Sequence, residues 1–245
     1  MDYSDLHPWD VSPKAAIGIQ KDLRSRIQLD DSFKTIRVIA GADVAFDKSK
    51  NQGYGGVIAY SFPEMEEIER QEVIRAITFP YVPGLLAFRE APILLEAFSS
   101  LATEPDVILF DGQGIAHFRR MGIATHMGIV LNKPTIGCAK SRLIGSYKEP
   151  GEDVGSYSPL IDGEETVGMV LRTRKRVRPI FVSPGTEISL ETCIEVVLQC
   201  VDGYRIPKPT READRYVALM KRETTSDSEY YILDSGKPMV QNPTF

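Results

Sequence analysis

The residues best suited to chemistry lie between Asp106 and Leu143. Val107 to Phe110 form a short apolar run that reads as a buried strand, and it ends abruptly at Asp111, with Gly112 and Gly114 close behind. A carboxylate at the end of a buried strand is costly unless something pairs with it. In α/β folds the carboxyl ends of strands are also where ligands and metals bind. The segment continues with His117, Arg119, Arg120, His126, Lys140 and Arg142. An acid set among cations points to metal-assisted chemistry on an anion, above all a phosphodiester.

Two more acids sit in similar surroundings. Asp43 interrupts the strand-like run from Ile36 to Phe46. Glu90 closes the segment P-Y-V-P-G-L-L-A-F-R-E, just before an apolar helix that Pro92 is expected to open at its first turn. Mg²⁺ prefers oxygen ligands, keeps several waters and usually takes one or two carboxylates plus substrate phosphate. Three carboxylates converging from separate segments would suit one or two such ions. Each acid also has a plain structural reading: Asp43 facing solvent on a half-exposed strand, Asp111 capping a helix, Glu90 on a helix surface.

The segments G-A-D-V-A-F, P-Y-V-P-G-L-L-A-F-R-E, D-G-Q-G-I-A-H and G-C-A-K-S-R-L resemble the successive motifs of the endonuclease V family, in order and at similar spacing. Together they span most of the chain, from about Gly41 to about Asp214. The resemblance implies a ribonuclease H-like fold and dependence on Mg²⁺ or Mn²⁺. It also implies nicking at the second phosphodiester 3′ to a deaminated adenine, in repair of deaminated bases. On it, Asp43, Glu90 and Asp111 are the metal-binding acids, and Asp214 matches a late position near the metal. Tyr81, between Pro80 and Pro83, becomes a wedge that separates strands beside the lesion; otherwise it is a loop aromatic covering the core. Gly84, Gly112 and Gly122, with Leu86 and Ile123, become a close-fitting pocket for flipped hypoxanthine; otherwise the glycines are turn residues. His117 reads as a phosphate contact rather than a metal ligand, because no second histidine lies at ligand spacing. Lys140, at the end of a strand-like run, could stabilise charge growing on the scissile phosphate.

Two positions depart from the family pattern. Phe118 stands where the family usually has proline, and Thr186 where it usually has histidine. They bear on loop geometry and substrate preference rather than on the metal site. Family members differ in acting on deoxyinosine in DNA or inosine in RNA, so an inosine-specific ribonuclease is one alternative. Another is a different ribonuclease H-like nuclease, such as a junction resolvase, which would need the acids but not the P-Y-V-P-G segment.

The elements that must position these residues follow from periodicity. Ser12 before Pro13 starts a helix, with Ala16, Ile19, Leu23 and Ile27 at helical spacing. Strands are expected around Ile36–Phe46, Gly55–Phe62 and Glu69–Thr78, joined by links short enough for hairpins. Then come a helix near Ala91–Leu101, the strand at Val107–Phe110, a helix near Arg119–Leu131 and a strand at Pro134–Cys138. Crossover helices imply parallel pairing. Three antiparallel strands followed by parallel ones predict an α/β, ribonuclease H-like sheet flanked by helices. A strand pair near Thr166–Thr173 and Pro179–Ser183 and helices near Leu190–Val201 and Arg211–Arg222 complete the series.

With 245 residues and 42% hydrophobic content, one domain with its own core is expected. It should cover residues 1–225, with a polar and partly disordered tail over 226–245. A net charge of −5 argues against generic polyanion binding. Charge is local instead: five cations fall within the seven residues from Arg172 to Arg178, either a solvated turn, an import-like signal or a nucleic-acid-facing patch. Acids gather from Glu64 to Glu72. Cys138, Cys193 and Cys200 follow no zinc spacing and read as reduced core residues. No secretory signal or membrane span is evident. The expected setting is a soluble, cytoplasmic or nuclear monomer whose partner is nucleic acid containing deoxyinosine or inosine.

Overall fold

The computed structural model describes residues 1–234, with side chains through residue 224. In chain order the elements are α1 (Pro13–Leu23), β1 (Val38–Asp47), β2 (Gln52–Ser61), β3 (Glu67–Ala76), α2 (Leu86–Ser99), β4 (Val107–Phe110) and α3 (Ile123–Leu131). These are followed by β5 (Thr135–Ala139), β6 (Tyr157–Asp162), β7 (Glu165–Leu171), β8 (Ile180–Thr186), α4 (Leu190–Gln199) and α5 (Lys208–Asp234). Ser12 caps α1, its hydroxyl accepting from the Ala15 amide at 3.3 Å, and Pro13 takes the first helical position.

All eight strands join one sheet in the order β3-β2-β1-β4-β5-β8-β7-β6. The pairs β1–β2 and β2–β3 are antiparallel, while β1–β4 and β4–β5 are parallel and are reached through the crossover helices α2 and α3. This is the ribonuclease H-like arrangement expected from the sequence. β8, β7 and β6 extend it antiparallel beyond β5. Missing side chains let helices lie close on both faces. A Cβ at Gly55 would come within 2.5 Å of Ile93 in α2, and one at Gly41 within 2.2 Å of the Pro209 carbonyl in α5. The charged residues Glu67, Glu69 and Glu72 lie on the edge strand β3, where charge discourages pairing with another chain.

Four points differ from expectation. α2 starts at Leu86, so Pro92 lies inside it rather than at its first turn, and Glu90 is a helix residue. An interior proline costs about 3 kcal/mol, but α2 buries Phe88, Leu94, Leu95 and Phe98, each worth roughly 1.5–3 kcal/mol. Burial wins. α3 begins at Ile123, not near Arg119, because residues 115–122 form a loop with Arg120 at φ 58°. β6 was not expected, since its Pro159 weakens the strand signal; as an edge strand it tolerates the missing donor. α5 is longer than the pattern suggested and runs on to Asp234. The rest of the expected tail, 235–245, lies outside the described residues. Cys138, Cys193 and Cys200 are free and buried, as expected. Among the described residues no helix is long and apolar enough to cross a membrane.

Candidate active site

The acids are brought together by strand register. β1 and β4 run parallel with Gly41 opposite Leu109 and Ala42 opposite Phe110. One more step in the same register sets Asp43 beside Asp111, just past the end of β4. Across the antiparallel neighbour Asp43 faces Gly56, which offers no side chain. Ala40, Ala42 and Val44 pack under α2 while Gly41 abuts Pro209, so strand alternation turns Asp43 toward the α5 side. α5 carries Asp214 to the same place, and α2 supplies the buried Glu90 from the other side. Lys140, one residue past β5, forms a close ion pair with Asp111 and a longer one with Asp214 at 3.4 Å.

Electrostatics record this crowding. Burial first, then the Asp111 charge, pushes the Asp43 carboxyl up to about 7. Burial, then Asp43 and Asp111, pushes Glu90 well above the usual carboxylate range. Asp111 is also raised by burial, against the hydrogen bond from Lys140. Burial works against the Lys140 ammonium, but Asp111 and Asp214 outweigh it and hold its pKa above the ordinary value. The result is a set of hard oxygen donors that are costly to ionise together without a cation. Among the described residues no three acidic, histidine or cysteine groups are gathered tightly enough to hold a metal ion as they stand. By chemistry the donor set suits a hard divalent cation; by geometry it would have to draw in around one.

Next to Asp111 and Lys140 opens a cavity of about 330 Å³, and both residues line it. So do all five expected pocket residues, Gly84, Leu86, Gly112, Gly122 and Ile123, together with Tyr81 and His117. The glycines are there for closeness. A Cβ on Gly122 would fall 2.1 Å from the Gln113 carbonyl oxygen, and one on Gly112 2.6 Å from the Ile123 side chain. The loop after Tyr81 is a tight turn: the Leu85 amide donates to the Val82 carbonyl at 3.0 Å, with Pro83 and then Gly84 at φ 78° between them. Those are the residues a type II turn calls for. Its start is held by Arg89, which donates to the Phe79 carbonyl at 2.7 Å. Tyr81 stands out from it, 72% exposed.

His117 is fixed in the wall of the cavity. Its Nδ1 accepts from the Arg119 amide at 3.2 Å, so Nε2 carries the hydrogen and donates to the Gly84 carbonyl at 3.1 Å. Burial, with Arg119 nearby, pushes its pKa down to about 4, so the ring is neutral and commits both nitrogens to the pocket wall. The basic run is also partly structural. Arg172 is buried and donates to the Gly151, Pro150 and Val177 carbonyls, while Lys175 and Arg176 pair with Asp153 and Glu152. Thr186 is buried, its hydroxyl accepting from the Gln28 amide at 3.1 Å. Phe118, by contrast, is 57% exposed at the cavity rim beside Gly84.

Sequence reasoning missed three contributors. Gln20 reaches the pocket wall from α1, where nothing but an amide at helical spacing marked it. Gln113 lines the cavity, gives its amide to the Ser141 carbonyl at 3.0 Å, and keeps a buried oxygen without a partner. Arg205 donates to the Lys140 carbonyl at 2.6 Å and to the Pro179 carbonyl at 2.9 Å, fixing the backbone that carries Lys140.

The family model for Endonuclease V matches residues 21–215. An Endonuclease V of Nostoc sp. is 47% identical over 210 residues, 85% of this chain and 95% of that protein. The crystal structure of an Endonuclease V from Bacillus subtilis superposes with a TM-score of 0.88 at 35% identity, covering 93% of this chain and all of that one (100%). A Ciona intestinalis Endonuclease V, in complex with a 24mer DNA containing an inosine followed by a ribo-adenosine, superposes with a TM-score of 0.76 at 26% identity, covering 86% and 98%.

Proposed function

The chain belongs to the endonuclease V family and is a nuclease acting on phosphodiester bonds, and from that membership we propose that it is a metal-dependent endonuclease for deaminated adenine. It recognises hypoxanthine in a nucleic-acid strand and nicks the second phosphodiester 3′ to it, acting as a monomer in repair of deaminated bases. The observation that carries this reading is a single cavity whose wall includes the pocket residues Gly84, Leu86, Gly112, Gly122 and Ile123 together with Asp111 and Lys140. On this reading a base seated there would set its 3′ backbone toward the acids. The inosine in the Ciona complex supports the choice of base, and the ribo-adenosine beside it keeps RNA open as a substrate.

Asp43, Glu90 and Asp111 would hold Mg²⁺ or Mn²⁺, which when bound supplies Lewis-acid polarisation of the phosphate. Tyr81 fills the gap left in the base stack, and main-chain groups at the glycines read the base edge. Hydrolysis then joins a water oxygen to phosphorus and breaks the bond from phosphorus to the 3′ oxygen. The Lys140 ammonium steadies the charge on that leaving oxygen. The products are a 3′-hydroxyl and a 5′-phosphate, with the base still on its sugar.

Gel mapping of an end-labelled strand, with a chromatographic assay for free hypoxanthine, tests this reading. The expected result is one cut, one nucleotide beyond the lesion, dependent on added Mg²⁺ or Mn²⁺ and lost in Asp111→Ala. Free hypoxanthine, or cutting in excess chelator, would overturn it.

A further inference from the structure

Gln20, 1% exposed on α1, makes contacts that no general packing role requires. Its amide nitrogen donates to the Gly84 carbonyl at 3.1 Å and to the Met121 carbonyl at 3.1 Å. Its amide oxygen accepts from the Arg119 Nε at 2.6 Å. The orientation of the amide is unambiguous, since a guanidinium can only donate and a carbonyl can only accept. Three segments of the cavity rim are therefore joined through one side chain: the wedge-loop turn at Gly84, the loop at Arg119, and the chain entering α3 at Met121. The Gly84 carbonyl also accepts from Arg119 at 2.8 Å and from His117 at 3.1 Å. A turn that presents Tyr81 and a pocket wall is thus held at its one left-handed residue by three donors, and of these, among the described residues, only Gln20 reaches it from outside the segments that form the cavity.

We propose that Gln20 is a positioning residue for lesion recognition, tying α1 to the wedge turn and the pocket wall so that both are set before nucleic acid arrives. This rests on the reading of the cavity as the lesion pocket. Preorganisation lowers the ordering cost of binding, so the residue acts on recognition and leaves the acids alone. It lies just outside the stretch matched by the family model, which begins at residue 21.

The test uses the full chain with two variants. Gln20→Leu keeps the volume and loses all three hydrogen bonds. Gln20→Glu keeps an acceptor for Arg119 but turns a carboxylate oxygen toward two carbonyls. Hydrogen exchange needs no substrate. In both variants the Leu85 and Gly122 amides should exchange on the order of tenfold faster, as loss of two hydrogen bonds would give, with β1 amides unchanged. On oligonucleotides differing only in deoxyinosine or deoxyadenosine, KM for the inosine strand should rise and the inosine-to-adenine preference fall, each by on the order of tenfold. The rate at saturation and Mn²⁺ affinity should stay at wild-type values. Wild-type exchange at Leu85 overturns the proposal, as does faster exchange spread equally over β1, or unfolding of both variants. A wild-type protein that leaves inosine strands intact would instead refute the functional reading, while exchange still decides the role of Gln20 in holding the turn.

Discussion

At the scale of residues, the unusual feature is how much burial, and after it their mutual charge, costs the acids. A carboxylate whose folded pKa exceeds its unfolded value holds a proton that the unfolded chain has released. Its contribution to stability is present at acid pH and is lost as pH rises from about 4 toward the value near 7 reached by Asp43. Asparagine does not ionise and escapes this loss. Metal-free Asp43→Asn is therefore expected to melt above the wild type at pH 8, by on the order of 2 kcal/mol, with the difference gone near pH 4. Added Mg²⁺ should reverse the order by stabilising the wild type alone, and the variant should not cut. Calorimetric melts across pH, with and without metal, check both parts; a variant less stable than wild type in chelator at pH 8 would contradict the account. Tyr81 belongs to recognition instead. Tyr81→Ala should lose about 1–3 kcal/mol of lesion binding and most of the preference for inosine over adenine, with Mn²⁺ binding intact. Unchanged binding ratios would mean the ring does not stack.

At the scale of elements, the chain placed its acids legibly because buried strands cannot hide a charge. Asp43 in Ile36–Phe46 and Asp111 after Val107–Phe110 stood out by polarity alone. Glu90 was harder to read, because Pro92 resembles a helix start, and only the turn from Val82 to Leu85 shows that the helix has already begun. Gln20 gave no signal, since its partners are backbone carbonyls far along the chain. The same reasoning separates glycines that α5 and the sheet require from those they do not. A Cβ at Gly41 would strike the Pro209 backbone at 2.2 Å, so Gly41→Ala must push away the start of the helix that carries Asp214. A loss of about 1–3 kcal/mol is expected, together with reduced cutting. Gly18 lies inside α1 with nothing within 4 Å of an added Cβ. Gly18→Ala should therefore stabilise by roughly 0.5–1 kcal/mol and leave cutting unchanged. Denaturant midpoints and nicking rates check the pair, and equal effects at the two sites would contradict the packing argument.

At the scale of the whole molecule, a net charge of −5 must coexist with a polyanionic substrate. The sequence showed where cations cluster but not which were already spoken for. In the basic run, Arg172 is spent on backbone carbonyls, and Lys175 and Arg176 on Asp153 and Glu152. Arg142 is different. It is exposed and lines the cavity beside Lys140; it donates to the Gly145 carbonyl at 3.1 Å and lies over the Tyr147 ring at 5.8 Å, and among the described residues no carboxylate pairs with it. Each phosphate neutralised by a cation adds about 0.7–0.9 to the steepness with which log affinity falls against log salt. If Arg142 meets the backbone of the bound strand, Arg142→Ala should make the salt dependence shallower by about one phosphate's worth and weaken inosine and control strands alike. Removing Lys175 and Arg176 together should leave the slope where it was, because their charges are matched by acids on the same surface. Binding titrations of a deoxyinosine strand over a range of KCl concentrations separate these outcomes. A slope that falls with the double variant but not with Arg142→Ala would move the nucleic-acid path away from the cavity and onto the β7–β8 loop.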